Sequence, residues 1–183
     1  ENVVITYNDK AANAVYTSCA NGQTSYTNSS REYWGTALPY LVSVATPYES
    51  YGGGARYQGI ALTRTASELR EDLSKLVDPA HATDVAQKDW IQITGRNDVT
   101  GYVTQIKVWG QEVKISEFQE QVVGSYSPAF TIQYANDNYT FTSWGNGHGV
   151  GMSQYGAMGL IANGADWKEV LSRYYPGTTL ERV

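Results

Sequence analysis

The sequence predicts a β-rich α+β domain with one capped helix in mid-chain and two helices near the C-terminus. Three observations carry that expectation. Short alternating runs of β-branched and aromatic residues recur between Val3 and Phe141, bounded by Asn, Gly and Ser, as half-buried strands require. Thr65-Ala66-Ser67-Glu68 has the spacing of a capping box and opens a stretch of helical apolar period. A glycine-dense segment beginning at Trp144 runs into two further helical patterns. With 183 residues, 42% of them hydrophobic and 17% charged, the chain can bury a core as one domain and is too apolar for a disordered polymer. No apolar run approaches the roughly 20 residues that cross a bilayer. A net charge of -5 is the wrong sign for a protein that grips phosphates, so nucleic acid is not expected as a partner.

Taken in order, Val3-Val4-Ile5-Thr6-Tyr7, Ala14-Val15-Tyr16 and Tyr40-Leu41-Val42-Ser43-Val44 read as strands, and the polar stretch 18–30 reads as a loop. Pro47 to Gly54 ends in Gly52-Gly53-Gly54, a flexible connection or a close-approach turn. In the helix opened by Thr65, Ala66, Leu69, Leu73, Leu76 and Val77 share one face, and Asp78-Pro79 stops it. Trp90–Thr94, Tyr102–Val108 and Glu112–Ile115 read as strands, the last two joined at Gly110-Gln111. Ala129–Tyr134 and Tyr139–Phe141 flank the turn Asn136-Asp137-Asn138. A helix after the glycine segment should end near Asn163-Gly164. The last helix begins at a second capping spacing, Asp166 with Glu169, buries Trp167, Val170, Leu171 and Tyr174, and stops at Pro176-Gly177. No repeat and no domain linker interrupts residues 1–183.

The glycine segment carries the functional signal. Gly145, Gly147, Gly149 and Gly151 supply no frame of the dinucleotide-binding G-x-G-x-x-G, there is no Gly-Lys-Ser/Thr, and Gly151-Met152-Ser153-Gln154-Tyr155 lacks the second glycine of a nucleophile elbow. The two histidines, His81 and His148, with the lone Cys19 are too sparse for a standard structural zinc pattern. Alternate glycines let the backbone pass closely against another strand or against a ligand. His148 precedes a helix start, where free N–H groups favour an acceptor-rich ligand and disfavour an imidazolium. Gly147, His148, Gly149, Ser153, Gln154 and Tyr155 are therefore the candidate binding residues, suited to a hydroxyl-rich sugar polymer; first-turn Ser and Gln also commonly cap their own helix. Fifteen Tyr and five Trp fit the packing of sheets and also the apolar faces of sugar rings.

Gly147-His148-Gly149-Val150-Gly151-Met152-Ser153-Gln154-Tyr155-Gly156-Ala157, then Glu169-Val170-Leu171 and Tyr174-Tyr175-Pro176-Gly177, resembles the closing signature of the stage II sporulation protein D family, which includes amidase-enhancer domains. Tyr33-Trp34-Gly35 with Pro39-Tyr40-Leu41 and Ser43-Val44, the helix from Thr65 and the strands from Trp90 to Val108 also resemble that family, so the likeness covers nearly the whole chain. It implies a peptidoglycan lytic transglycosylase acting on glycan strands stripped of stem peptides, outside the cytoplasm in the cell envelope or secreted, with a cell-wall amidase as partner. In that chemistry one carboxyl protonates the leaving glycosidic oxygen, then as a base helps the muramic C6 hydroxyl close a 1,6-anhydro ring.

The chain departs from the family pattern in one important respect. The family's catalytic Glu lies in an alanine-rich helical segment upstream of the region matched here, and none is found in this sequence. With Glu1 as first residue, the expectation is the C-terminal part of the family domain, its acid supplied from upstream and the isolated chain weakly active or inactive. Tyr102 and Glu117-Phe118-Gln119 also stand where the family carries Arg and Leu-Arg. Within the chain, Glu32 beside Tyr33 and Trp34 is the leading candidate acid, because flanking rings desolvate a carboxyl; Glu49 and Glu117 rank below it. No cofactor is expected, with zinc at Cys19 the alternative that metal-stabilised family members suggest. Two other functions stay open: a non-catalytic glycan-binding or amidase-enhancing module, and a structural cell-envelope protein whose glycines only pack.

Overall fold

Three two-residue hairpin loops set much of the architecture. The computed structural model describes residues 3–182. Strand β1 (Val3–Tyr7) turns through Asn8-Asp9 into β2 (Lys10–Ala11), and both turn residues have positive φ (52° and 60°). Such a turn carries the twist that two antiparallel strands need, and Asn and Asp tolerate it best after Gly. The chain then forms β3 (Tyr16–Thr17) and the short helix α1 (Ser30–Trp34), whose N-cap Ser29 accepts from the Glu32 N–H and whose end is closed by Gly35 in the left-handed conformation. A tight turn over 51–57 leads into β4 (Gln58–Thr65) and helix α2 (Ala66–Leu73), where the Thr65–Glu68 capping box forms as its spacing predicts.

Strands β5 (Ile91–Arg96), β6 (Val103–Val108) and β7 (Gln111–Val113) make one antiparallel sheet, with Trp109-Gly110 as the second such turn. Helix α3 (Ile115–Phe118) widens at once into a turn closed by the Gly124 N–H on Gln119 O. Strands β8 (Phe130–Ala135) and β9 (Asn138–Trp144) pair through the third turn, Asn136-Asp137, and β9 also pairs with β4, giving the order β4-β9-β8. Strand β10 (Met152–Ser153) pairs in parallel with β3, helices α4 (Gln154–Ala162) and α5 (Trp167–Tyr174) follow, and β11 (Thr179–Arg182) closes the β11-β1-β2 sheet.

Two hydrophobic clusters hold these elements. The larger joins α2, β5, β6, α3, β8 and β9 through Leu69, Leu73, Ile106, Phe118, Phe130 and Phe141. The smaller packs Leu41, Val150, Leu160, Val170, Tyr174 and Tyr175 beside β1. Tyr33 of α1 touches both, so α1 sits at their junction.

The fold is α+β, with the capped helix and the two C-terminal helices in the expected places. Several local expectations change. Residues 40–44 form no strand: Tyr40 and Leu41 are buried in the smaller cluster, and the backbone makes single bonds instead, Leu41 O accepting from the Ser30 N–H and Val44 O from the Thr27 N–H. The helix from Thr65 ends at Leu73 rather than running to Val77; Val77 reaches the core from a following turn, its N–H on Leu73 O. The strand read over 112–115 stops at Val113, because Ile115 enters α3 and the larger core. α1 begins inside the stretch read as loop. The sequence reading gives no element at β4, α3 or β11; β4 alternates strictly between half-buried and exposed residues, but polar Gln58 and Arg64 stand on its inner face beside Ile60 and Leu62, which blurs the apolar period.

Candidate functional site

The glycine segment between β9 and β10 is zipped to the stretch 15–21 by its own backbone. Cys19 and Asn146 exchange both N–H···O bonds (3.1 and 2.8 Å), the Met152 N–H donates to Val15 O (3.1 Å), and the Tyr155 N–H donates to Ser18 O (3.2 Å). A Cβ added at Gly145 would stand 2.3 Å from Ala20 O, and one at Gly151 would stand 2.0 Å from Val15 O. At Gly147 and Gly149 it would meet Thr17 Oγ1 and the Tyr102 hydroxyl. All four glycines have positive φ, so both space and backbone conformation exclude a side chain. Of the two expectations for these glycines, close approach to a strand or to a ligand, the structure shows approach to the protein's own chain at each.

This zippering presents His148. Its Nδ1 accepts from the Val150 N–H at 3.0 Å, so Nε2 carries the proton and has no partner among the described residues. Burial holds the pKa below the ordinary histidine value, keeping the ring neutral. Trp34, 39% exposed, and Tyr33 lie with ring centroids 5.2 and 5.7 Å from the imidazole. Burial, followed by the charge of Glu120, pushes the Tyr33 hydroxyl up to about 12, so it stays a neutral donor. The result is an aromatic shelf of three adjoining rings, with an Nε2–H that no other described residue uses.

Glu32, on the same helix, turns toward Asn97 instead. Its Oε1 accepts from Asn97 Nδ2 at 2.7 Å, while Oε2 is shielded from solvent without a partner. Asn97 is oriented for this by the Val99 and Thr100 N–H groups, which its Oδ1 accepts. Sequence reasoning missed Asn97 because it lies about 65 positions away, in the loop between β5 and β6.

The other predicted residues divide. Ser153 is buried and accepts from the Gly156 N–H at 3.2 Å as the N-cap of α4, so its hydroxyl is used within the fold. Gln154 is exposed. Tyr155 is half-buried, and its hydroxyl accepts from Arg56 Nη2 at 2.8 Å. Glu117 is paired with Lys114 at 2.8 Å on the surface.

Glu49 proves to be the most enclosed acid among the described residues, 3% exposed. Its Oε2 accepts from the Ala20 N–H (2.9 Å) and from Cys19 Sγ (3.0 Å), and its Oε1 accepts from Thr46 Oγ1 (2.6 Å). Thr46 in turn shares a 2.5 Å hydrogen bond with the Tyr174 hydroxyl. Burial, then the charge of Glu49, pushes the Cys19 thiol up, and burial raises Tyr174. Cys19 therefore meets one carboxylate rather than a ligand set, and among the described residues no group of three or more His, Cys, Asp or Glu could hold a metal ion. A surface groove of about 690 Å³ lies between α4 and α5, lined by Leu160, Glu169 and Arg173, away from His148.

Fold and site together define a small α+β domain organised by a histidine-bearing glycine loop. The chain is 32% identical over 180 residues to stage II sporulation protein D of Bacillus subtilis, covering 98% of this chain and 48% of that protein. It is 32% identical to stage II sporulation protein D of Bacillus amyloliquefaciens with the same coverage, and 27% identical to the amidase enhancer of Bacillus subtilis, covering 97% of this chain and 31% of that protein. No protein-family model matches the chain. The chain belongs to the stage II sporulation protein D family, and it spans about half the length of the sporulation proteins it matches.

Proposed function

We propose that this domain holds denuded peptidoglycan glycan in a lytic transglycosylase of the cell envelope, with the catalytic acid contributed by another segment. The observation that carries the reading is the shelf of Trp34, Tyr33 and His148. Flat rings take the apolar face of a pyranose, and a neutral imidazole with Nδ1 tied down offers Nε2–H to a sugar oxygen. The names of the relatives, a sporulation protein and an amidase enhancer, support a role at the cell wall.

The carboxyls of the domain agree with this division of labour. Glu49 is sealed with both oxygens accepting, and Glu117 is ion-paired at the surface. Glu32 keeps one oxygen shielded from solvent and without a partner, and its side chain is directed to Asn97 rather than to the shelf. In the proposed chemistry a single carboxyl gives its proton to the leaving glycosidic oxygen. It then takes the proton of the C6 hydroxyl as that oxygen bonds to the anomeric carbon, closing the anhydro ring without water. The domain's part is to bind and orient the strand.

The test is titration of residues 1–183 with denuded glycan strands, read from the Trp34 and His148 resonances, together with product analysis for anhydro-sugar ends. Binding with little cleavage is expected. Robust cleavage would show that the acid is internal, and E32Q would then identify it. Absence of any resonance shift would refute glycan binding. A second reading, a non-catalytic amidase-enhancing module, is favoured by the amidase-enhancer relative. It is separated by adding a cell-wall amidase and asking whether the domain accelerates it with the glycan uncut.

A further inference from the structure

Arg56 is held at the surface by several contacts and has no counter-ion among the described residues. It lies one residue before the end of the turn over 51–57, in which Gly52 and Gly53 have φ of 58° and 103°. The turn closes over Glu49 so tightly that a Cβ at Gly54 would stand 1.8 Å from Glu49 O. Arg56 Nε donates to Gly53 O at 3.0 Å, and Nη2 donates to the Tyr155 hydroxyl at 2.8 Å. Its Cζ lies 5.5 Å from the Tyr57 ring centroid and 5.8 Å from that of Tyr155. Among the described residues Nη1 has no partner, and the ion pairs formed are Arg64–Asp72, Lys75–Asp72 and Lys114–Glu117, none of them to Arg56.

Eighteen acidic residues against thirteen basic ones leave no shortage of potential partners. An arginine fixed in one pose gives up side-chain freedom, which exposed contacts offset only in part. The guanidinium is thus preorganised with donors pointing outward, and its planar fork matches a carboxylate. The position is also tied to the glycine segment. The Gly145 N–H donates to Tyr57 O at 2.7 Å, and Tyr155 lies in the first turn of α4, directly after that segment.

We propose that Arg56, with Tyr57 and Tyr155, forms an anion subsite for a sugar acid. The guanidinium binds the carboxylate, and a tyrosine ring carries the apolar face of the pyranose. This rests on the glycan reading above and adds to it the discriminating group, the lactyl carboxylate that a muramic acid residue exposes when it carries no stem peptide.

The test compares two probes on residues 1–183: denuded glycan strands from amidase-treated sacculi, and chitotetraose, which has the same kind of backbone without the lactyl acid. The denuded strand should bind about tenfold more tightly at low salt, and the gap should narrow as salt rises. R56Q should abolish the gap and leave chitotetraose affinity unchanged, R56K should restore part of it, and Y155F, which frees Nη2 while keeping the ring, should reduce it. Unchanged thermal midpoints exclude misfolding of this exposed site. Equal binding of both probes, or a gap that survives R56Q, overturns the subsite and leaves the glycan reading standing. Binding of neither probe overturns the glycan reading itself, and the subsite with it.

Discussion

Cys19 Sγ lies 3.0 Å from Glu49 Oε2, and the pair is sealed between the glycine segment and α4. The closure is tight, since a Cβ on Gly156 would come within 2.9 Å of Glu49 Oε1. Glu49 thereby holds three pieces of chain together: the 19–20 backbone, Thr46, and through Thr46 the end of α5 at Tyr174.

Two outcomes follow for this pair. Because burial and then the Glu49 charge raise the thiol pKa, Cys19 should resist iodoacetamide in the native chain at about pH 8, where a free thiol reacts, and should be alkylated in denaturant. E49A leaves a thiol, an N–H and a hydroxyl without their acceptor and should cost about 3 kcal/mol in urea denaturation. An unshifted midpoint in E49A would remove Glu49 from its place as the organiser of this region.

The glycines separate two causes of the same preference. Gly151 and Gly110 have similar φ, 74° and 78°, but a Cβ at Gly151 would meet Val15 O at 2.0 Å and one at Gly110 meets nothing within 4 Å. G110A should cost about 1–2 kcal/mol, the backbone term alone. G151A should cost about 4 kcal/mol or prevent folding, because the obstructing atom is backbone paired to the Met152 N–H. Equal losses in thermal denaturation would contradict the close approach.

His148 makes stability depend on pH in a definite direction. Its folded pKa is depressed by burial, so on acidification the unfolded chain takes up the proton first, near the ordinary value of about 6.5. Stability from this group is intact above that value, falls as pH drops below it, and levels off once the folded ring also protonates. H148N keeps an acceptor for the Val150 N–H and removes both the titration and Nε2–H. Its loss of stability between about pH 7.5 and 5.5 should be smaller than that of the unaltered chain, and its glycan affinity should be lower. A matching pH slope in both proteins would refute the assignment.

Trp34 tests the shelf directly. It is 39% exposed and contacts His148 and Tyr33, so W34A should change stability by less than about 1 kcal/mol. Loss of a stacking ring should weaken denuded-glycan binding about five- to tenfold, measurable by calorimetry. Full affinity in W34A would place the sugar elsewhere.

What the sequence determined by itself was whatever local chemistry decides. The Thr65–Glu68 and Asp166–Glu169 capping boxes formed because a side chain and a backbone N–H three residues apart need no distant partner. The Asn136-Asp137 turn formed because those residues tolerate positive φ. The glycine segment was legible as a place of close approach, and its residue order as a family signature. Only the tertiary structure decided what approaches it: the stretch 15–21, more than a hundred positions away in sequence. Tertiary contacts likewise decided that Glu49 is sealed, that Glu32 meets Asn97, and that Tyr33 and Trp34 meet His148. Each of these depends on pairing between remote segments, and neither hydrophobic period nor capping spacing encodes which remote segment will arrive.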